Sequence, residues 1–176
     1  MPNIRQWFIA FVGLAVLALG WLFGYSGAIG PVDASGTSRL NYASYITDSQ
    51  GELLHVLMAD DERYRLQTQP SDVDPTFIDL LFAYEDQRYY QHHGVDWLAM
   101  ARASWQLASR GYIVSGGSTL TMQAVRLMEP KPRTLWNKLD QIRKAIALER
   151  SHTKDQILSL YLSLAPYGSN IEGVQM

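Results

Sequence analysis

Residues 134–165, TLWNKLDQIRKAIALERSHTKDQILSLYLSLA, decide the fold class. Thr134 can cap a helix in which Leu135, Leu139, Ile142, Ile146 and Glu149 fall on nearly one side. Thr153 and Gln156 then have the spacing of a capping box, which satisfies free N–H groups at a helix start reciprocally. The helix it opens runs to about Ala165-Pro166, where proline disfavours continuation. Two consecutive amphipathic helices with a short break between them predict a mainly α domain.

Working toward the N-terminus, the same signals recur. Ser118 is the expected cap of a helix through about Met128, ended by Pro130 and Pro132. Asp96 caps another, with Leu98, Ala101, Trp105 and Ala108 on one face and Gly111 as its stop. Asp74-Pro75 opens a further helix, with Phe77, Leu80, Leu81 and Tyr84 at helical spacing. Before it, Tyr42–Thr47 and Glu52–Met58 flank the turn Asp48-Ser49-Gln50-Gly51 and read as a hairpin. A third extended piece is expected at Arg63–Gln67. The domain therefore carries a small β element at its entrance.

The beginning of the chain differs in kind. From Gln6 to Val32 a run of 27 residues carries no charge, and its apolar part, residues 7–29, is 23 residues long. At about 1.5 Å per residue such a helix spans a hydrocarbon layer of ~30 Å with some tilt. Trp7, Trp21 and Tyr25 suit the two interfaces. Arg5 precedes the span and Asp33 follows it, so the positive-inside rule places the N-terminus in the cytoplasm and the remainder outside. A cleaved signal peptide, cut near Ser26–Ala28, is the competing reading; the length of the apolar run favours the anchor. The division is a cytoplasmic start (1–6), one transmembrane helix (7–29), a linker (30–41) and a domain (42–176).

Composition narrows the chemistry. The 176 residues are 47% hydrophobic and 18% charged, which excludes a disordered or low-complexity chain. There is no cysteine, so disulfides, thiolate metal sites and a cysteine nucleophile are excluded. The net charge of −2 conceals a division. Residues 33–96 hold twelve acids against four arginines, whereas residues 112–154 hold eight Lys and Arg against three acids. A basic block gathered on one face attracts an anion, although a solvated set of helix surfaces has the same composition.

Three clusters could carry chemistry. In Glu85-Asp86-Gln87-Arg88-Tyr89-Tyr90-Gln91-His92-His93-Gly94, two acids end a helix, where the negative end of the peptide dipoles suits a proton acceptor. The histidines lack the HExxH spacing of a metal site. In Gly116-Gly117-Ser118-Thr119-Leu120-Thr121-Met122-Gln123, glycines and hydroxyls lead into a helix start, where free N–H groups suit an anion. The lysine of a P-loop is missing. The third cluster is the cations Arg126, Arg133, Lys138, Arg143 and Lys144; pyrophosphate recognition would need cations placed this way, and solvated surface is the competing reading of single basic residues.

Taken together, EDQRYYQHHGVD, GGSTLTMQ, the cationic helix ending Ala147-Leu148-Glu149, and KDQILSLYLSLAPYG resemble four ordered motifs of glycosyltransferase family 51, the peptidoglycan polymerase domain. GGSTLTMQ and the Ala-Pro-aromatic-Gly run are most similar to the penicillin-binding protein 1C branch. The resemblance covers about residues 44–176. It implies a lysozyme-like α domain at the outer face of the bacterial inner membrane, single-pass and periplasmic. It implies that the domain joins the units of lipid II into β-1,4 glycan strands with inversion, releasing undecaprenyl pyrophosphate. Glu85 would be the general base. Asp86, His92, Ser118, Thr119, Thr121 and Gln123 fall on cleft positions, and Arg126, Arg133 and Lys138 on positions that hold the donor pyrophosphate.

Departures from the family pattern are few. Tyr89 replaces the usual Phe, and Tyr161-Leu162-Ser163 the usual YLN. Eight residues before Glu149, where most members place a second catalytic Glu, stands Gln141. A pyrophosphate leaves without a second acid if cations stabilise it, and Gln141 can still orient substrate by hydrogen bonds. Family domains continue past residue 176 with further helices, so the C-terminal part of the fold is expected to be missing. Implied partners are lipid II, the growing glycan strand, the membrane and cell-wall assembly proteins, with no nucleic acid. The sequence requires no cofactor and leaves room for a divalent cation. Alternatives are a non-catalytic lipid II or assembly-binding module and, ranked last, a lytic enzyme of related fold.

Overall fold

The computed structural model describes residues 40–112 and 116–175. The expected anchor at 7–29 and nearly all of the linker at 30–41 lie outside the described residues. Among the described residues no helix is long and apolar enough to cross a membrane.

Five α-helices dominate the described residues: α1 (Pro75–Glu85), α2 (Trp97–Arg110), α3 (Leu120–Met128), α4 (Leu135–Ser151) and α5 (Lys154–Leu164). Their starts follow the local chemistry. Asp74 accepts from the Thr76 amide with Pro75 as the first helical residue. Asp96 accepts from the Ala99 amide at 2.8 Å. Thr134 accepts from the Asn137 amide, and Thr153 and Gln156 form the reciprocal capping box. One expected cap moves: Thr119, not Ser118, accepts from the Met122 amide and starts α3. Ser118 is thereby left free to make a different contact.

The short α3 is the centre of the molecule, packed against both α4 and α5. Met122, Ala124 and Val125 join Val95, Ile142, Ala145, Leu148 and Ile157 in one buried cluster. Leu120 joins Tyr89, Leu158 and Leu162 in a second, covered by Ile78, Leu81 and Phe82 of α1. At about 25 cal/mol per Å² of apolar surface removed from water, this burial is what holds a nine-residue helix in place.

Which helical face turns inward differs from the periodicity reading. On α1 the packed side is Ile78, Leu81 and Phe82, while Leu80 and Tyr84 are exposed. That helix is apolar on more than one side, so spacing alone does not choose. On α2 Leu98 and Trp105 are exposed, and Met100 packs on the core instead. On α4 the buried residues are Ile142, Ala145, Ala147 and Leu148; Leu135 is 85% exposed, at the edge of an open cavity.

The β structure is richer than expected. β1 (Ser44–Thr47) and β2 (Leu53–Leu57) form the antiparallel hairpin, Ser44 opposite Leu57. Its turn is fixed by Asp48, whose carboxylate accepts from the Gln50 and Glu52 amides, and by Gly51 at φ +88°. A second sheet has β3 (Tyr64–Arg65), β4 (Pro166–Gly168) and β5 (Ile171–Glu172) in the order β3-β5-β4, with β3 and β5 parallel. Buried Arg65 locks it, donating to Glu172 at 2.7 Å, Asp61 at 2.9 Å and the Asn41 carbonyl at 2.7 Å.

Candidate active site

The end of α1 splits its two acids. Glu85, the last helical residue, is exposed and accepts one hydrogen bond, from Gln123 Nε2 of α3 at 2.8 Å. Asp86 is turned inward and buried. Its carboxylate accepts from the Leu120 amide at 2.9 Å and faces His92 Nε2 at 3.0 Å. A carboxylate on the free N–H of a helix start meets the positive end of the dipole, so Asp86 joins the end of α1 to the start of α3. Glu85 is held over the cleft by that joint.

The intervening loop is anchored in the same manner. Tyr89 is buried, stacks on Phe82 with ring centroids 5.2 Å apart, and donates its hydroxyl to the Lys154 carbonyl at 2.7 Å. The phenol thus finds a partner that a phenylalanine would not need. Arg88 pairs with Asp96. Gly94, at φ +86°, lies so close to α4 that a Cβ there would sit 2.7 Å from the Ala145 carbonyl oxygen. Thr119 donates to the Gly94 carbonyl at 2.6 Å, and buried Thr121 donates to Glu149 at 2.6 Å, which also pairs with Lys154. Asp86, Thr119 and Thr121 thus have their polar groups engaged inside the framework beneath the cleft, and His92 joins it through Nε2 alone, its buried Nδ1 having no hydrogen-bond partner.

Two cavities meet at Ser118. One, about 880 Å³, is lined by Glu85, Gln123, Ser118, Arg88, Asp96 and Arg102. The other, about 470 Å³, is lined by Ser118, Arg126, Arg133, Lys138, Gln141 and Lys144. The cations in and around the second cavity fall into two groups. Lys131 and Lys144 are balanced by Glu129 and Asp140, with Lys131 2.8 Å from Asp140. Among the described residues no carboxylate pairs with Arg126, Arg133 or Lys138. Lys138 instead donates to Ser118 Oγ at 2.6 Å and to Gln141 Oε1 at 3.2 Å. Burial, and after it the neighbouring Arg126 guanidinium, holds the Lys138 ammonium below the usual lysine range. Arg143 is not among the residues lining this cavity.

Sequence reasoning passed over Tyr161. It packs against both core clusters, and burial, then the charge of Glu85, pushes its hydroxyl above the usual tyrosine range. Arg126 acts on it in the opposite sense. A polar tip on the apolar stripe of α5 was the available signal. Among the described residues no group of three or more His, Asp or Glu is arranged to hold a metal.

Comparison with known proteins identifies the family. The transglycosylase family model matches residues 50–176. Penicillin-binding protein 1C of Escherichia coli (strain K12) is 38% identical over 136 residues, which is 77% of this chain and 18% of that protein. Penicillin-binding protein 1A of the same strain is 31% identical over 179 residues, 99% of this chain and 21% of that protein. Penicillin-binding protein 1F of Bacillus subtilis (strain 168) is 33% identical over 138 residues, 77% and 19%. The chain spans about a fifth of the length of these relatives. With a family model covering most of the sequence, the chain belongs to the transglycosylase family.

Proposed function

We propose that the chain is a membrane-anchored peptidoglycan glycosyltransferase that polymerises lipid II into β-1,4 glycan strands. The observation that carries this reading is the pair of cavities meeting at Ser118, with an exposed carboxylate in one and, in the other, three cations that no acid among the described residues pairs. In this reaction the 4-hydroxyl of the acceptor GlcNAc attacks C1 of the lipid-linked donor sugar. Glu85 takes the hydroxyl proton, the C1–O bond to pyrophosphate breaks, and the configuration at C1 inverts. Arg126, Arg133 and Lys138 hold the undecaprenyl pyrophosphate as it leaves. Ser118, at the junction, and Gln123, beside Glu85 in the first cavity, line the path between the two sugars. The basic cavity favours a pyrophosphate donor over plain glycan, and so synthesis over cleavage.

The remaining parts of the proposal are topological. Residues 7–29 anchor the chain in the inner membrane with residues 1–6 in the cytoplasm, and the domain from residue 42, of lysozyme-like architecture, works in the periplasm. Incubation with labelled lipid II followed by sizing of the products tests the reading. Glycan polymer longer than the disaccharide supports it, and unchanged lipid II overturns it.

A further inference from the structure

We infer that Gln141 is a positioning residue: its amide, fixed by the Met122 carbonyl, holds Lys138 as an uncompensated cation facing the basic cavity. The inference deepens the donor-site reading above and rests on it. Gln141 lies one turn after Lys138 on α4, so the two side chains share a face. Gln141 Nε2 donates to the carbonyl of Met122, a residue of the buried core of α3. Its Oε1 accepts from Lys138 at 3.2 Å.

These two neighbours demand an amide. A backbone carbonyl only accepts and an ammonium only donates, so the group between them must present one donor and one acceptor. A carboxylate at 141 would set a negative oxygen against the Met122 carbonyl and would pair with Lys138, cancelling its charge. The consequence of such pairing is visible on the same helix, where Lys144 is balanced by Asp140 and Glu129. An ammonium has three N–H donors. Two of those of Lys138 go to neutral acceptors, Ser118 and Gln141. The third, with the full positive charge, is left for a ligand oxygen. The amide of Gln141 therefore leaves the charge of Lys138 to the anion site of this chain.

A double-mutant cycle on the full 176-residue chain in detergent, with inorganic pyrophosphate as the titrated probe, tests this. Lys138→Ala should weaken binding about 10- to 150-fold, and Gln141→Ala roughly 3- to 10-fold. In the Lys138→Ala background, Gln141→Ala should cost less than about a further 2-fold, because its effect runs through the lysine. Gln141→Glu should weaken binding at least about 10-fold, with thermal melting showing that it remains folded. Additive losses in the cycle, or a Gln141→Glu protein that binds pyrophosphate as well as the parent, would overturn the role of Gln141 while leaving the donor site intact. Unchanged affinity in Lys138→Ala, or no binding by the parent, removes the donor-site reading and this inference with it.

Discussion

Glu85 and Asp86 are adjacent acids with opposite fates, and exchanging each for its amide should separate chemistry from framework. In Asp86→Asn the single remaining oxygen can accept from the Leu120 amide, but the new NH₂ faces His92 Nε2. One bond to a charged acceptor is lost, at about 1.5–3 kcal/mol, and the other weakens to a neutral bond, so the total is about 2–4 kcal/mol. At about 3–5 °C per kcal/mol for a domain of this size, Tm should fall by roughly 6–20 °C. In Glu85→Gln the one contact, from Gln123, still meets an amide oxygen, and the side chain is exposed. Stability should change by less than about 0.5 kcal/mol. Polymerisation should fall at least ~10²-fold, because the proton acceptor is gone. Thermal melts followed by circular dichroism, run beside sizing of glycan from labelled lipid II, read both quantities. The reasoning is refuted if Glu85→Gln polymerises as well as the parent, or if Asp86→Asn melts at the parental temperature while losing activity.

Arg133→Ala should weaken lipid II binding about 10- to 150-fold, whereas Lys131→Ala, whose charge Glu129 and Asp140 already balance, should change it less than about 3-fold; equal losses in a binding titration would contradict the division of cations. Because the folded Lys138 ammonium titrates below its unfolded value, the unfolded chain binds more protons in that window, so the Lys138 contribution to stability rises with pH there. Its anion affinity is lost as pH rises through the same lowered value, and a pyrophosphate titration against pH should show an alkaline decline that Lys138→Arg removes. Gly94→Ala forces a Cβ against the Ala145 carbonyl at positive φ and should cost more than about 2 kcal/mol, read as a lower Tm. A cysteine in place of Ser35 should react with an impermeant maleimide in intact spheroplasts; protection there would contradict the proposed topology.

The sequence by itself determined the local choices. Asp74-Pro75, Thr134 and the Thr153–Gln156 box set helix starts because a cap is decided within four residues of chain. Asp48 and Gly51 set the hairpin turn for the same reason. Four ordered motifs sufficed to indicate the family, which the family model then matched over residues 50–176. What tertiary structure decided is everything that depends on a distant partner. Whether Ile78 or Leu80 of α1 packs on the core depends on where α3 lies, since both are apolar on the same helix. The parallel pairing of β3 with β5 joins Tyr64 to Ile171 across the length of the domain, and strands of two residues carry no pattern to announce it. The two acids at the end of α1 look equivalent in sequence; the Leu120 amide, 34 residues away, makes Asp86 a joint and leaves Glu85 facing the cleft. The cations show the same separation. Their number was countable from composition, and Asp140 and Lys144 stand at pairing distance along one helix, but only the fold brings Asp140 onto Lys131 and Glu129 onto Lys144 and leaves the Lys138 charge to the cavity. Ion pairs between different elements form where side chains meet in space, and spacing along the chain does not fix those.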